Sequence, residues 1–398
     1  MDGRSYTIIL PEEMDQMKES MQESNRSLKV RFMIAVMLLM TLVILPHGEA
    51  QSGEREKPEN IILFIGDGMG ISHITAARTI LGSLNIERMK VVGLQSTIPF
   101  GGYITDSAAS GTAIATGEKT YNGAISVDSE GSPLKTVMEY AEDEGWSTGL
   151  VVTCAITHAT PAVFISHVKS RSLYEDIAWQ IADSGVDLIF GGGLAWFLPS
   201  SDPESKRTDE YDPLNILAAR MNVVVSSEEI LQLPDSGSVA AFISLEHPEC
   251  LPVRDISLSE MTRKAINILS ADGRNFFLMV EGSQIDWAAH DHDFSSMMLE
   301  MKDFDEAVGV ALDYSRADGE TLVIVTADHE TGGFAVHDGS VADSTVTEWG
   351  WTTGSHTASM VPLFADGPLA EDFSGIYENT RIGKLLIGLV RSDKSAHE

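Results

Sequence analysis

The stretch Thr105-Asp106-Ser107-Ala108-Ala109-Ser110-Gly111-Thr112-Ala113 sets two serines and two threonines beside one carboxylate among small residues. Alone it reads as a helix start capped by Asp106 or Thr105, with a close-packed Ala/Ser/Gly face behind it. Elsewhere, carboxylates and imidazoles recur where short apolar runs end. Asp67 stands in Gly66-Asp67-Gly68-Met69-Gly70 after Ile61–Ile65. Glu281, Asp286 and His290 follow Phe276–Val280, Asp328-His329 follows Leu322–Thr326, and His356 precedes the run that begins near Val361. Asp286 and His290, at i and i+4, share one face of a helical turn. A carboxylate and an imidazole so placed can coordinate zinc, and a catalytic zinc takes three protein ligands and keeps one position open. His292 and Asp293 lie on other faces of that turn. Each fragment alone is ordinary turn or surface chemistry. Their convergence at several strand ends points to divalent cations, because open α/β sheets place ligands beyond the carboxyl ends of their strands.

The elements that must position these residues form a βα succession from residue 60 onward. The candidate strands are Ile61–Ile65, Thr148–Thr153, Val186–Phe190, Phe276–Val280, Leu322–Thr326 and Val361–Ala365, each brief and apolar as central parallel strands are. Between them, Ser132-Pro133 is expected to open a helix that stops at Gly145, and the run after Arg171 to form one that stops at Gly185. Ser200–Asp212 is polar and charged and reads as a surface loop. The fold class is α/β with a mostly parallel sheet. No linker divides the chain, so 51–398 is expected to form a single catalytic domain.

Composition narrows the partners. The 398 residues are 43% hydrophobic, enough for a large core, and 27 Lys and Arg against 59 Asp and Glu give a net charge of −32. Such a surface repels nucleic acid and anionic membranes, so no nucleic acid is expected as a specific partner. A site for an anionic substrate would need local positive charge, which metal ions can supply. Cys154 and Cys250 are the only cysteines, which excludes a disulfide framework and leaves one bridge open. Cys154 reads as a small buried thiol. Lys29 and Arg31 precede the apolar run Phe32–Leu45, and Pro46–Ala50 ends in a small residue suited to cleavage. Residues 1–50 are therefore expected to be an N-terminal extension and signal peptide, and the protein periplasmic or secreted, with an uncleaved anchor as the variant reading. The run is too short to cross a ~30 Å hydrocarbon core comfortably, so no stable membrane span is expected after cleavage.

Taken in order, Gly66–Gly70, Thr105–Ala109, Glu281 with Asp286 and His290, Thr326–His329 and His356-Thr357 resemble the alkaline phosphatase family from about residue 58 to 370. The resemblance implies a three-layer α/β/α sandwich that hydrolyses small phosphate monoesters through a phosphoserine, using two Zn2+ and one Mg2+. It implies one zinc on Asp286, His290 and His356, a second on Asp67, Asp328 and His329, and the magnesium on Asp67, Glu281 and Thr160. Ser107 matches the nucleophile and Arg171 the phosphate clamp, with Asp106, His158 and Trp287 beside the site. His158 stands where the best-studied bacterial pattern has Asp, and Trp287 where it has Lys; both bear on third-site metal preference and phosphate affinity. The short interval between His329 and His356 leaves no room for the crown insertion of some relatives. A homodimer is left open. The competing readings are a phosphodiesterase or nucleotide pyrophosphatase of the same superfamily, and an inactive metal- or phosphate-binding relative. A sulfatase is disfavoured, since no Cys/Ser-x-Pro-x-Arg segment surrounds Ser107. His47, His73, His167, His247, His337 and His397 join no set and read as structural or exposed.

Overall fold

The structure, a computed structural model, describes residues 56–392 and a few helical positions between 16 and 33. Residues 1–55 and 56–398 separate into two units, and the second carries every element described below. The expected signal peptide and cleavage segment lie largely outside the described residues, as do His47 and His397. Among the described residues no helix is long and apolar enough to cross a membrane.

The strands are β1 (Asn60–Gly66), β2 (Val91–Ser96), β3 (Ser147–Ala155), β4 (Leu188–Gly192), β5 (Asn222–Val224), β6 (Val239–Phe242), β7 (Phe276–Gly282), β8 (Thr321–Thr326), β9 (Glu330–Thr331), β10 (Ala335–Ser340), β11 (Thr345–Gly350), β12 (His356–Thr357), β13 (Val361–Asp366) and β14 (Gly375–Glu378). Ten of them form one sheet in the order β14-β2-β13-β8-β1-β7-β3-β4-β6-β5. The strands β1, β7, β8 and β3, buried along almost their whole length, occupy its centre and run parallel. Alternation along β1 sends Ile61, Leu63 and Ile65 to one core, where helices 107–116, 137–143, 174–183 and 380–390 pack. Ile62 and Phe64 go to the other, under helices 71–81, 258–270 and 294–318. A sheet covered on both faces in this way is the three-layer α/β/α arrangement.

Two sequence expectations are corrected. The run at Val361 forms β13, but antiparallel to both β8 and β2; burial on both faces gives a strand the same composition in either direction. Ser132-Pro133 opens no helix, because Ser132 closes a turn on Asp128 and Pro133 bridges to Val127. The helix begins instead at Val137, where the Thr136 hydroxyl accepts from the Glu139 amide and the Glu139 carboxylate accepts from the Thr136 amide. The other expected helix runs Tyr174–Asp183. Cys154 and Cys250 are both free.

Candidate metal centre and nucleophile

The parallel register aligns the strand ends that carry chemistry. Ile65 pairs with Glu281 across β1 and β7 and with Thr326 across β1 and β8, so Asp67, Glu281, Asp328 and His329 emerge together. His356 comes from further along the chain and is brought in by β12, which pairs with β9 so that His356 faces Thr331.

Two compact sets result. Asp286, His290 and His356 offer ligand atoms within 4.8 Å of one another, as do Asp67, Asp328 and His329. In the first set, His290 Nδ1 donates to the Gly354 carbonyl at 2.9 Å and His356 Nδ1 to the Thr105 carbonyl at 2.8 Å. In its neutral form each ring then carries its lone pair on Nε2, and these two atoms face each other at 3.1 Å. Paired lone pairs of this kind fit a shared cation, and a ligand histidine is normally oriented through its other nitrogen as these are. His290 Nε2 is also 3.3 Å from Asp286 Oδ2. In the second set, His329 Nε2 lies 3.4 Å from Asp67 Oδ1 and 3.2 Å from Asp328 Oδ2.

The buried oxygens fit cations. Asp67 Oδ1 and Oδ2, Asp328 Oδ2, Glu281 Oε1 and Thr160 Oγ1 are buried without a hydrogen-bond partner, a costly state unless a cation meets them. Burial, with the charges of Asp328, Asp286 and Glu281, pushes Asp67 well above the carboxylate range. Burial and the Asp328 charge push Glu281 up to about 7. Burial opposes the Asp286 carboxylate, yet the His290 hydrogen bond and the His329 and His356 charges hold it well below its ordinary value. The Asp286 hydrogen bond raises His290 to about 9, while burial holds His329 down to about 4. Opposed shifts within one buried cluster are common where side chains do chemistry or hold ions.

Ser107 is the first residue of helix 107–116, and Asp106 caps it by accepting from the Ala109 amide. Ser107 Oγ sits 3.3 Å from His329 Nε2, beside the second set and at a helix N-terminus that favours an anion. Ser110 and Thr112 turn to structural bonds, with the Asp328 and Ala124 carbonyls. Arg171 reaches the same place, with Nη1 3.2 Å from Asp106 Oδ2 and Nη2 2.8 Å from His158 Nε2.

Some of the arrangement was not foreseen. The Thr331 hydroxyl donates to Asp286 Oδ1 and lies 3.2 Å from His329 Nδ1. His247, expected to be merely structural or exposed, has its ring centroid 4.6 Å from that of Trp287 and 5.6 Å from that of His158, and its Nδ1 accepts from the Ala155 amide. No spacing announces it, since a long loop separates it from the other site residues. Cys154 and His158 join Glu281 in a third compact set. His292 takes a left-handed backbone (φ 55°) and stacks on Trp351; among the remaining histidines, His337 is exposed and His73 is buried.

Comparison with known proteins identifies the family. The model of the alkaline phosphatase family matches residues 58–346. Alkaline phosphatase 3 of Bacillus subtilis is 34% identical, over 84% of this chain and 90% of its own length. The streptomycin-6-phosphate phosphatase of Streptomyces griseus is 32% identical, over 86% and 93%. The solved structure of alkaline phosphatase from the Antarctic bacterium TAB5 superposes with a TM-score of 0.78 at 37% identity, covering 84% of this chain and 99% of that one. With its ordered strand-end carboxylates and histidines, the chain belongs to the alkaline phosphatase family and is a phosphatase.

Proposed function

We propose that the protein hydrolyses small phosphate monoesters by two successive displacements at phosphorus, with Ser107 as nucleophile. The observation that carries this reading is Ser107 Oγ lying 3.3 Å from His329 Nε2, at the edge of a set of buried, unpartnered carboxylate oxygens. Asp286, His290 and His356 would hold one zinc, and Asp67, Asp328 and His329 a second. Asp67, Glu281 and Thr160 offer only oxygens, the donor set that suits magnesium; histidine mutants of the TAB5 enzyme are described with Mg bound in the M3 site. When bound, the cations supply positive charge that eases deprotonation of the serine hydroxyl and of the hydrolytic water, and offset charge on the transferring group.

Ser107 Oγ gives up its proton to solvent and attacks phosphorus as the bond to the leaving alkoxide breaks, giving a phosphoserine, while the alkoxide takes a proton from solvent. Water then attacks the same phosphorus from the opposite side, freeing Ser107 and inorganic phosphate. Arg171, held by Asp106, presents a planar fork that can bind two phosphate oxygens in parallel. Because these contacts address the phosphoryl group and not the leaving group, a broad range of monoesters is expected. We further propose that residues 1–50 are a leader, that 51–398 is the single catalytic domain, and that the mature protein is periplasmic or secreted; a homodimer is compatible with this reading.

Quenching after exposure to labelled phosphate should trap a phosphoserine that Ser107→Ala lacks; an equal signal in the variant overturns the nucleophile. His290→Ala and Asp328→Ala should lose zinc and activity together, and turnover that survives EDTA overturns the metal reading. Faster turnover of bis(p-nitrophenyl) phosphate than of p-nitrophenyl phosphate would favour the diesterase instead.

A further inference from the structure

The third compact set lies beside the two described above. Cys154, His158 and Glu281 are all buried and offer ligand atoms within 4.8 Å of one another. Cys154 Sγ is 3.4 Å from Glu281 Oε2. One tetrahedral zinc with sulfur at ~2.3 Å and oxygen at ~2.0–2.2 Å would separate those atoms by roughly 3.5 Å. Glu281 Oε1 is buried without a hydrogen-bond partner, and His158 Nδ1, which carries the ring proton while Arg171 donates to Nε2, is buried without an acceptor. The thiol forms no disulfide and lies 3.3 Å from the carbonyl of the adjacent Ala155.

We propose that Cys154, His158 and Glu281 form a soft-cation site of the zinc class, and that filling it releases Arg171 from His158. A thiolate and an imidazole select zinc-like ions, whereas the oxygen set of Asp67, Thr160 and Glu281 selects magnesium. The two sets share Glu281, so the two ions compete. Binding replaces the Cys154 S–H bond with a sulfur–metal bond and sends the proton to solvent; thiolate and carboxylate together balance the divalent charge.

The consequence for Arg171 arises from the two nitrogens of one ring, and it rests on the phosphatase reading for its meaning. Arg171 Nη2 donates to His158 Nε2. An ion bound at Nε2 takes the lone pair that the guanidinium uses. An ion bound at Nδ1 moves the ring proton to Nε2, where it meets another donor. By either route the bond breaks, and Nη2 becomes available to a substrate phosphate while Nη1 stays on Asp106.

Cobalt is the probe, because thiolate ligation gives a sulfur-to-cobalt charge-transfer band in the near ultraviolet. Metal-free full-length protein titrated with Co2+ should develop that band. Cys154→Ser and Cys154→Ala should lack it, Cys250→Ser should keep it, and Zn2+ should displace it where Mg2+ does not. At saturating Co2+, inorganic phosphate measured by calorimetry should bind about tenfold more weakly to Cys154→Ala than to the unchanged protein, the worth of one charge-assisted bond. A wild-type protein without the band, or a band that survives in Cys154→Ala, overturns the site; equal phosphate affinities overturn the release of Arg171. The band is read on the unchanged protein, so a poorly folding variant cannot mask its absence. If the band is missing while cobalt still supports hydrolysis of p-nitrophenyl phosphate, this site falls and the phosphatase reading stands. Failure of the zinc- and magnesium-loaded protein to hydrolyse p-nitrophenyl phosphate overturns that reading instead.

Discussion

Thr331 donates its hydroxyl hydrogen to Asp286 Oδ1, and so spends the one proton it has. Its oxygen must then accept from His329 Nδ1, 3.2 Å away, which leaves the His329 lone pair on Nε2, facing Ser107, Asp67 and Asp328. One buried hydroxyl therefore orients a residue from each of the two proposed zinc sets. Thr331→Val keeps the shape and removes both bonds. It is expected to weaken cation binding in both sets by about 10–100-fold, with Thr331→Ser restoring most of it. Metal titration of the stripped protein checks this, and a loss confined to one set would show that the hydroxyl does not couple them.

Gly68 has no side chain for a reason visible in the same cluster. Its φ is +72°, and a Cβ there would lie 2.7 Å from Thr331 Oγ1 and 2.9 Å from Asp286 Oδ1. The Gly68 amide also donates to Asp328 Oδ1. Gly68→Ala should lower stability by about 1–3 kcal/mol and weaken metal binding with it. Urea unfolding of the apo and metal-loaded forms reads the two effects separately, and unchanged metal affinity would mean that the cluster yields at no cost.

How much of this could be read from the chain depends on the scale of the signal. The central strands and the acids and histidines at their ends are legible, because apolar runs mark the strands and parallel topology carries the residues just beyond them to one edge. Thr136-Val137-Met138-Glu139 carries a legible cap as well, but Ser132-Pro133 imitates one four residues earlier. Partners defined by a single bond across the fold are not legible. Thr331 is one hydroxyl in a glycine-rich turn, His247 reaches Trp287 only because a loop folds back, and the pairing of Cys154 with His158 and Glu281 needs β3 and β7 to be neighbours. The direction of β13 is equally silent, since both its faces are covered.

The loop that brings His247 to Trp287 is tied down by a buried ion cluster. Arg254 donates to both Glu300 oxygens, at 3.2 and 3.0 Å, and to Asp303 Oδ2 at 2.7 Å, and the side chains of all three are 2% exposed. The same carboxylates accept from the Leu251 and Leu258 amides. Arg254→Met strands two buried carboxylates and should cost about 3–5 kcal/mol in urea unfolding. Adding Glu300→Gln and Asp303→Asn should recover part of that loss; no recovery would place the cost in packing and not in charge.

The pairing of His167 with Glu139 gives stability a sign with pH. His167 Nε2 lies 3.0 Å from Glu139 Oε1, and Nδ1 lies 2.8 Å from the Ser126 carbonyl, so the imidazolium can donate at both ends. Burial opposes that charge, but the bonds to Glu139 and Ser126 outweigh it and raise His167 above 6.5. Burial likewise opposes the Glu139 carboxylate, while the His167 bond and the Thr136 amide bring it below 4.5. A raised histidine stabilises fully below its unfolded pKa and loses that contribution as pH rises through the folded one. A lowered carboxylate stabilises above its unfolded pKa and loses its share as pH falls through the folded one. Both contributions are therefore in force between about pH 4.5 and 6.5, and the histidine's fades as pH rises above 6.5 through its raised folded pKa. His167→Gln should cost on the order of 0.5–1 kcal/mol near pH 5.5 and distinctly less near pH 9. Melting of the unchanged and variant proteins at fixed metal loading measures the gap at each pH, and a gap that does not narrow as pH rises would mean that His167 stabilises the fold as a neutral ring.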